Sequence, residues 1–319
     1  MLTLFSTPKP FLGHINVIQR NALQSWKLLD PGVEVILFGD DEGAAEVCQE
    51  FGFRHEPEVL RSKLGTKRLD SIFGKARQMA KHEMVCYANC DIILTQDFLE
   101  AHRRLASWNP NHLMVGRRTD TDITDPLDFS DSNWQRRIVD IAKRDGILRF
   151  YHNIDYFLFP RGLYKEIPPL VIGRIWWDHW LVGKARSLGA AVVDVTEVVC
   201  AVHQNHDYGY HPKGFEGVWN DEDARANHGL AKADSRLCTI EDAPYRLTKS
   251  GVEKNGAYWA APAKRKIRRV IARTRSAFRG RVWHPLLNLT RPVRHALGFK
   301  KEALPDSAQS GPRKHWMDQ

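Results

Sequence analysis

Across residues 2–117, short apolar runs alternate with stretches of helical periodicity, and this alternation restricts the possible folds more than any other feature of the chain. Strand-like runs fall at Leu2–Ser6, Val33–Phe38, Phe53–Glu58, Met84–Leu94 (with a turn at its centre) and Leu113–Arg117. Between them lie a helical stripe of Ile15, Ile18, Ala22, Trp26 and Leu29, then Glu42–Phe51 with Gly52 as its stop, Leu69–Met79 and Phe98–Trp108. Strands that alternate with helices build a mainly parallel sheet covered on both faces, and ligands of such sheets gather at the carboxyl ends of the strands. The second half is less regular. Helices are expected at Trp134–Arg144 and Trp177–Leu188, and strands at Tyr156–Phe159 and Ala191–Val195.

The 319 residues, 43% hydrophobic and 27% charged, suffice for a folded enzyme. No apolar run reaches the ~18 residues that span a bilayer. The opening Met1–Pro8 has neither the basic start nor the apolar core of a signal peptide, so a cytoplasmic protein is expected. Cys48, Cys86, Cys90, Cys200 and Cys238 are odd in number and scattered, which argues against a disulfide framework or a zinc cage. The net charge of +9 is concentrated: residues 261–319 hold 15 Lys+Arg against 3 Asp+Glu, which leaves the remainder slightly acidic. In that tail Ile267, Val270, Ile271, Thr274 and Phe278 recur three or four apart among arginines, the pattern of a basic amphipathic helix. The expected divisions are a body over 1–255, a basic helical tail over 256–301 and a disordered 302–319. The tail suits an anionic membrane surface, which would place the protein peripherally on the inner face of the plasma membrane. A slightly acidic body without a reader motif gives no ground for a specific nucleic acid.

The strongest chemical signal is Tyr87-Ala88-Asn89-Cys90-Asp91-Ile92-Ile93-Leu94, an apolar strand interrupted by Asn89 and Asp91. A carboxylate at a strand's carboxyl end can hold a divalent ion that bridges two phosphates. The same residues also suit a plain turn between two strands. Gly173–Leu181 sets three tryptophans around Asp178 and His179. Aromatic faces suit sugar rings, and an acid buried among them has a raised pKa and can act as general base; alternatively Asp178 caps its helix and the tryptophans are core. A third polar cluster, from His203 and His206 to His211, follows the apolar run Val198–Val202 and could meet a metal or a diphosphate. Asp40 and Asp41 either accept hydrogen bonds from a base or ribose or cap the helix beginning at Glu42. Thr66 and Asp70 are candidate caps of the next helix, and Lys67 and Arg68 face either phosphate or solvent.

These segments resemble GT-A glycosyltransferases. Tyr87–Leu94 resembles their DxD region in the variant with a polar residue, here Asn89, for the first acid. Phe5–Phe11 resembles their first nucleotide-contacting strand and loop, Phe38–Glu42 the acid-bearing end of the second strand, Gly65–Phe73 the start of the helix before the DxD strand, and Asn153–Pro160 the acceptor-side strand. The likeness runs over about residues 1–250. It implies a Rossmann-type α/β fold with a mixed, mostly parallel sheet, a nucleotide half near 1–120 and an acceptor half near 121–255. It implies transfer of a sugar from a nucleotide-diphosphate donor to a hydroxyl of a glycan or other acceptor, as in surface-polysaccharide synthesis, with Mn2+ or Mg2+. Asp178 would be the base, which suits inversion. Thr7, Asp40, Asp41, Arg68, Asp70, Asn89 and Asp91 would face the donor, Asp91 and His203 the metal, and Asp155, Trp177 and His206 the acceptor. Sugar nucleotidyltransferases, the rival enzyme class, open with a Gly-rich basic loop, and Ser6-Thr7-Pro8-Lys9-Pro10 has no glycine. A non-enzymatic alternative is a membrane- or nucleic-acid-binding protein acting through the tail.

Overall fold

All five residues of Leu2–Ser6 are buried, so this strand is covered on both faces, as a strand inside a parallel sheet must be. A computed structural model, which describes residues 1–207, 214–256 and 258–259, places it at the centre of the architecture. In chain order the elements are β1 (Leu2–Ser6), α1 (Gly13–Lys27), β2 (Glu34–Phe38), α2 (Ala44–Phe51), β3 (Arg54–Glu56), α3 (Leu69–Met79), β4 (Met84–Ala88), β5 (Ile92–Ile93), α4 (Gln96–Trp108), β6 (His112–Val115) and β7 (Arg118–Thr121). They continue with α5 (Trp134–Asp145), β8 (Ile147–Leu148), β9 (Tyr156–Pro160), α6 (Trp177–Ser187), β10 (Ala191–Asp194), β11 (Ala201–Gln204), α7 (Gly214–Asn220), α8 (Glu222–Asp234), β12 (Tyr245–Leu247) and β13 (Val252–Lys254). The expected helix at Glu42 begins at Ala44 because Gly43 turns the chain with φ +82. Neither Asp40 nor Asp41 is therefore the N-cap residue. No side chain caps α3 either.

Nine strands form one sheet in the order β13-β12-β10-β6-β9-β4-β1-β2-β3. All run parallel except β9, which is antiparallel to β4 and β6, and β13, antiparallel to β12. This is the mixed, mostly parallel α/β sheet that the alternation predicts. The chain moves outward from β1 to β2 and β3, then returns to β4 on the other side of β1. The crevice outside the carboxyl ends of β1 and β4 is thus the switch point at which such sheets bind ligands. Phe5 pairs with Tyr87 in register, and the Ser6 hydroxyl donates to the Ala88 carbonyl at 2.5 Å.

Helices cover both faces. On one, Trp26 and Leu23 of α1 and Phe98 and Leu105 of α4 pack with Leu2 and Leu4. On the other, Phe73 of α3 and Trp180 and Leu181 of α6 pack with Phe5, Phe157 and Phe159. The alternation of β1 side chains between these two cores follows the period of two in a strand.

A second, four-stranded sheet in the order β5-β11-β7-β8 is absent from the sequence reading. Its register sets His203 of β11 between Ile92 of β5 and Asp120 of β7. The proposed halves near 1–120 and 121–255 are interleaved: among the described residues β6 pairs only with β9 and β10, both from the second half. No helix among the described residues is long and apolar enough to cross a membrane. The expectations for the tail beyond Trp259 and for His211 fall outside the described residues.

Candidate active site

Past Ala88 the chain turns through Asn89–Asp91, closed by the Ile92 amide donating to the Asn89 carbonyl at 3.1 Å. Turn geometry and a site are both realised here, in different residues. The side chain of Asn89 is committed inward: its amide donates to Asp155 Oδ1 at 2.6 Å and its oxygen accepts from the Tyr87 hydroxyl at 3.1 Å. Asn89 therefore ties the turn to Tyr87 and Asp155. Asp91, 8% exposed, turns towards the small sheet. Its Oδ2 lies 3.2 Å from His206 Nε2, 4.0 Å from His203 Nε2 and 3.9 Å from Lys9 Nζ. Its Oδ1 is buried with no hydrogen-bond partner among the described residues.

Burial opposes the charge on Asp91, but His203, His206 and Lys9 outweigh it and hold the carboxyl far below the usual carboxylate range. A buried carboxylate with an unsatisfied oxygen is costly unless something else pairs with it.

Asp91, His203 and His206 present ligand atoms within 4.8 Å of one another. The residues fit a divalent cation. One carboxylate oxygen with two imidazole nitrogens suits Mn2+ better than Mg2+, which favours an all-oxygen shell. Both rings are held from behind. His206 Nδ1 donates to the Asp207 carbonyl at 2.6 Å, which leaves its Nε2 lone pair facing Asp91 and Lys9 when the ring is neutral. His203 Nδ1 lies 3.1 Å from Asp120 Oδ1, off the line of a hydrogen bond but close enough for the carboxylate to hold the ring by charge. His206, which the sequence offered for a metal, a diphosphate or the acceptor, lies with the candidate cation ligands.

Behind this cluster a polar chain runs towards Asp178. Arg118 joins Asp120 (2.8 Å) to Asp155 (2.7 Å), and Asp155 receives Asn89 as described. Both Asp155 oxygens are therefore used internally, by Asn89 and Arg118. Asp178 stands in the first turn of α6, after Trp176, which holds the left-handed conformation at φ +85. Of all described non-glycine residues only Trp176 has positive φ, a strained geometry that recurs at functional sites. Asp178 is 18% exposed, yet the surrounding mass desolvates it and pushes its carboxyl up; the nearby Asp155 charge pushes the same way, and His179 opposes. It does not cap its helix. Trp177, expected against the acceptor, is 5% exposed and packs on Tyr87 and Phe157 in the core, because the α6 stripe turns it inward.

On the other flank, Lys67 bridges the ends of β1 and β2: its ammonium donates to the Pro8 carbonyl at 2.7 Å and pairs with Asp41. Thr7 ends beside them with a buried hydroxyl lacking a partner among the described residues. Asp40 is exposed and pairs with Arg61, while Arg68 and Asp70 pair with each other at 2.6 Å at the start of α3. Asp40, Arg68 and Asp70 are not drawn into the Asp91 cluster. Sequence reading missed Lys9, Arg118 and Asp120 as site residues, and left Lys67 between phosphate and solvent. Arg118-Thr119-Asp120-Thr121 lacks the apolar pattern of a strand, and its pairing with β11 and β8 makes it one.

No protein-family model matches the chain, and no curated protein matches it. Solved structures similar to it include S. aureus TarS 1-349 in complex with UDP-GlcNAc, at 11% identity and TM-score 0.44, with 65% of this chain and 59% of that chain covered. The mannosyltransferase PcManGT from Pyrobaculum calidifontis in complex with GDP-Man and Mn2+ is similar at 13% identity and TM-score 0.45, over 74% of this chain and 65% of that one. For M. tuberculosis glucosyl-3-phosphoglycerate synthase the values are 11% identity, TM-score 0.44, and 73% and 80% coverage.

Proposed function

We propose that the protein is a nucleotide-sugar-dependent glycosyltransferase. The observation that carries this is the convergence of Asp91, His203 and His206 at the switch point of a mostly parallel sheet, with Arg118 linking Asp120 to Asp155, whose charge acts on the desolvated acid Asp178. The donor's nucleoside lies over the ends of β1 and β2, against Thr7 and Asp41, and its diphosphate reaches the Asp91 cluster. Asp91, His203 and His206 would hold a divalent cation, which when bound would supply positive charge to the departing diphosphate. Asp178 accepts the proton of the acceptor hydroxyl, whose oxygen attacks the anomeric carbon while the bond to the diphosphate oxygen breaks. A single displacement of this kind inverts the anomeric centre. The exposed Phe150 and Tyr151, next to His152, whose carbonyl is 3.2 Å from His179 Nε2, form the acceptor side. The basic tail would hold the enzyme on anionic lipid.

The test is a thermal-shift screen of nucleoside diphosphates with and without Mn2+. One diphosphate should raise the melting temperature in a Mn2+-dependent way, and Asp91→Ala should remove that rise. Turnover that releases pyrophosphate instead of nucleoside diphosphate would replace this reading with nucleotidyl transfer. Loss of liposome flotation on removing 261–319, with the melting temperature kept, checks the role of the tail.

A further inference from the structure

Lys9 is fixed in its main chain and directed in its side chain. Prolines at 8 and 10 restrict the backbone. Gln19, buried in α1, clamps it from both sides: the Lys9 amide donates to Gln19 Oε1 at 2.7 Å, and Gln19 Nε2 donates to the Lys9 carbonyl at 2.8 Å. From that anchor the ammonium reaches His206 Nε2 at 3.0 Å and stands 3.9 Å from Asp91 Oδ2. An imidazole nitrogen has one lone pair in the ring plane. When the His206 ring is neutral, with its Nδ1 donating to the Asp207 carbonyl, the Nε2 pair that accepts from Lys9 is the same pair a metal would need.

On the reading of the site as a donor and cation site, we infer that Lys9 occupies the cation's place at His206 and must leave before a metal binds. Metal–ligand bonds of about 2.0–2.3 Å to His206 Nε2 and Asp91 Oδ2 would put the ion within about 4–5 Å of the present ammonium position. Two cations that close in a buried site repel strongly. The displaced ammonium then needs an anion, and a donor diphosphate at the same ion supplies one. Free metal is therefore resisted, the metal–diphosphate pair is accepted as a unit, and the two ligands bind cooperatively. Because the backbone clamp does not involve the side chain, the exchange needs only rotation about the Lys9 side-chain bonds.

The experiment titrates the full chain with Mn2+ alone, followed by electron paramagnetic resonance, and separately with the preformed Mn–pyrophosphate complex. Lys9→Met should bind Mn2+ at least about 10-fold more tightly than the natural protein and Mn–pyrophosphate about 10-fold more weakly, while Lys9→Arg stays near the natural values. Melting curves confirm that each variant is folded. Unchanged Mn2+ affinity in Lys9→Met, or a shift of both affinities in one direction, overturns the exchange while leaving the cation site standing. If Asp91→Asn in the Lys9→Met background leaves Mn2+ affinity untouched, the cation binds elsewhere. The exchange and the donor-site reading then fail together.

Discussion

At Asp178 burial and chemistry pull against stability. The folded protein raises this carboxyl above its ordinary value, so folding takes up a proton in the window between the unfolded and folded pKa. Stability contributed by the protonated form is present at low pH and is lost as pH rises through the folded value. Asp178→Asn should thus melt at or above the wild-type temperature at neutral pH. As a base, however, Asp178 must be ionised. The kcat profile should fall on the acid side at a pH above that of an unperturbed carboxylate, and Asp178→Asn should lower kcat by about 10²–10⁴-fold. The Mn2+–diphosphate thermal shift should survive that substitution, since Asp178 is not among the cation ligands. A variant that loses the thermal shift and keeps turnover would reverse the roles of Asp91 and Asp178.

Two helices set the geometry of the site, and each depends on a particular contact. α1 reaches the turn after β4 through Trp26, whose indole donates to the Ile92 carbonyl at 2.8 Å from a fully buried position. It also reaches β11 through Asn21, which donates to Gln204 at 2.9 Å. Trp26→Ala removes a large core side chain and the support of β5 together. It should cost about 3–5 kcal/mol in denaturant unfolding. α6 is held against the chain at Ser235–Arg236: a methyl group on Gly183 would lie 1.7 Å from the Arg236 carbonyl oxygen. That contact is backbone, which cannot rotate away. Gly183→Ala should destabilise by about 1–3 kcal/mol and, by shifting the helix that bears Asp178, reduce kcat as well. A Gly183→Ala protein with unchanged melting and unchanged kcat would show that α6 can be displaced without consequence for the site.

For the molecule as a whole, the insertion of β9 between β4 and β6 decides what can fold alone. A fragment ending near residue 120 leaves β6 without either neighbour, and the complementary fragment leaves β9 without both of its own. Neither piece should show cooperative melting when expressed separately, while Met1–Trp259, a single compact unit, should unfold in one transition. Independent folding of 1–120 would mean that the first half completes its sheet in another way.

The sequence by itself determined the elements whose signal is local. Leu69–Met79 coincides with α3 residue for residue, and the β1, β2, β9 and α6 readings lie within a residue or two of the observed bounds, because apolar periodicity reflects which face a segment buries. It also marked Asp91, His203, His206 and Asp178 as chemically active types at strand or helix ends. Tertiary structure alone decided their grouping. β7 has a polar pattern and becomes a strand only through its partners β11 and β8. α8, read from sequence as nothing in particular, starts where the Asp221 side chain accepts from the Ala224 amide at 2.8 Å. Trp177 and Asp155 carry signals that fit both ligand binding and packing; the structure buries the first against Tyr87 and Phe157 and gives the second two internal hydrogen bonds. Lys9 and Asp91 are separated by most of the first half of the sheet, and no local pattern encodes a contact of that range. Periodicity records how each segment meets the core, whereas a site is assembled from groups that meet only after the strands have chosen their neighbours and register.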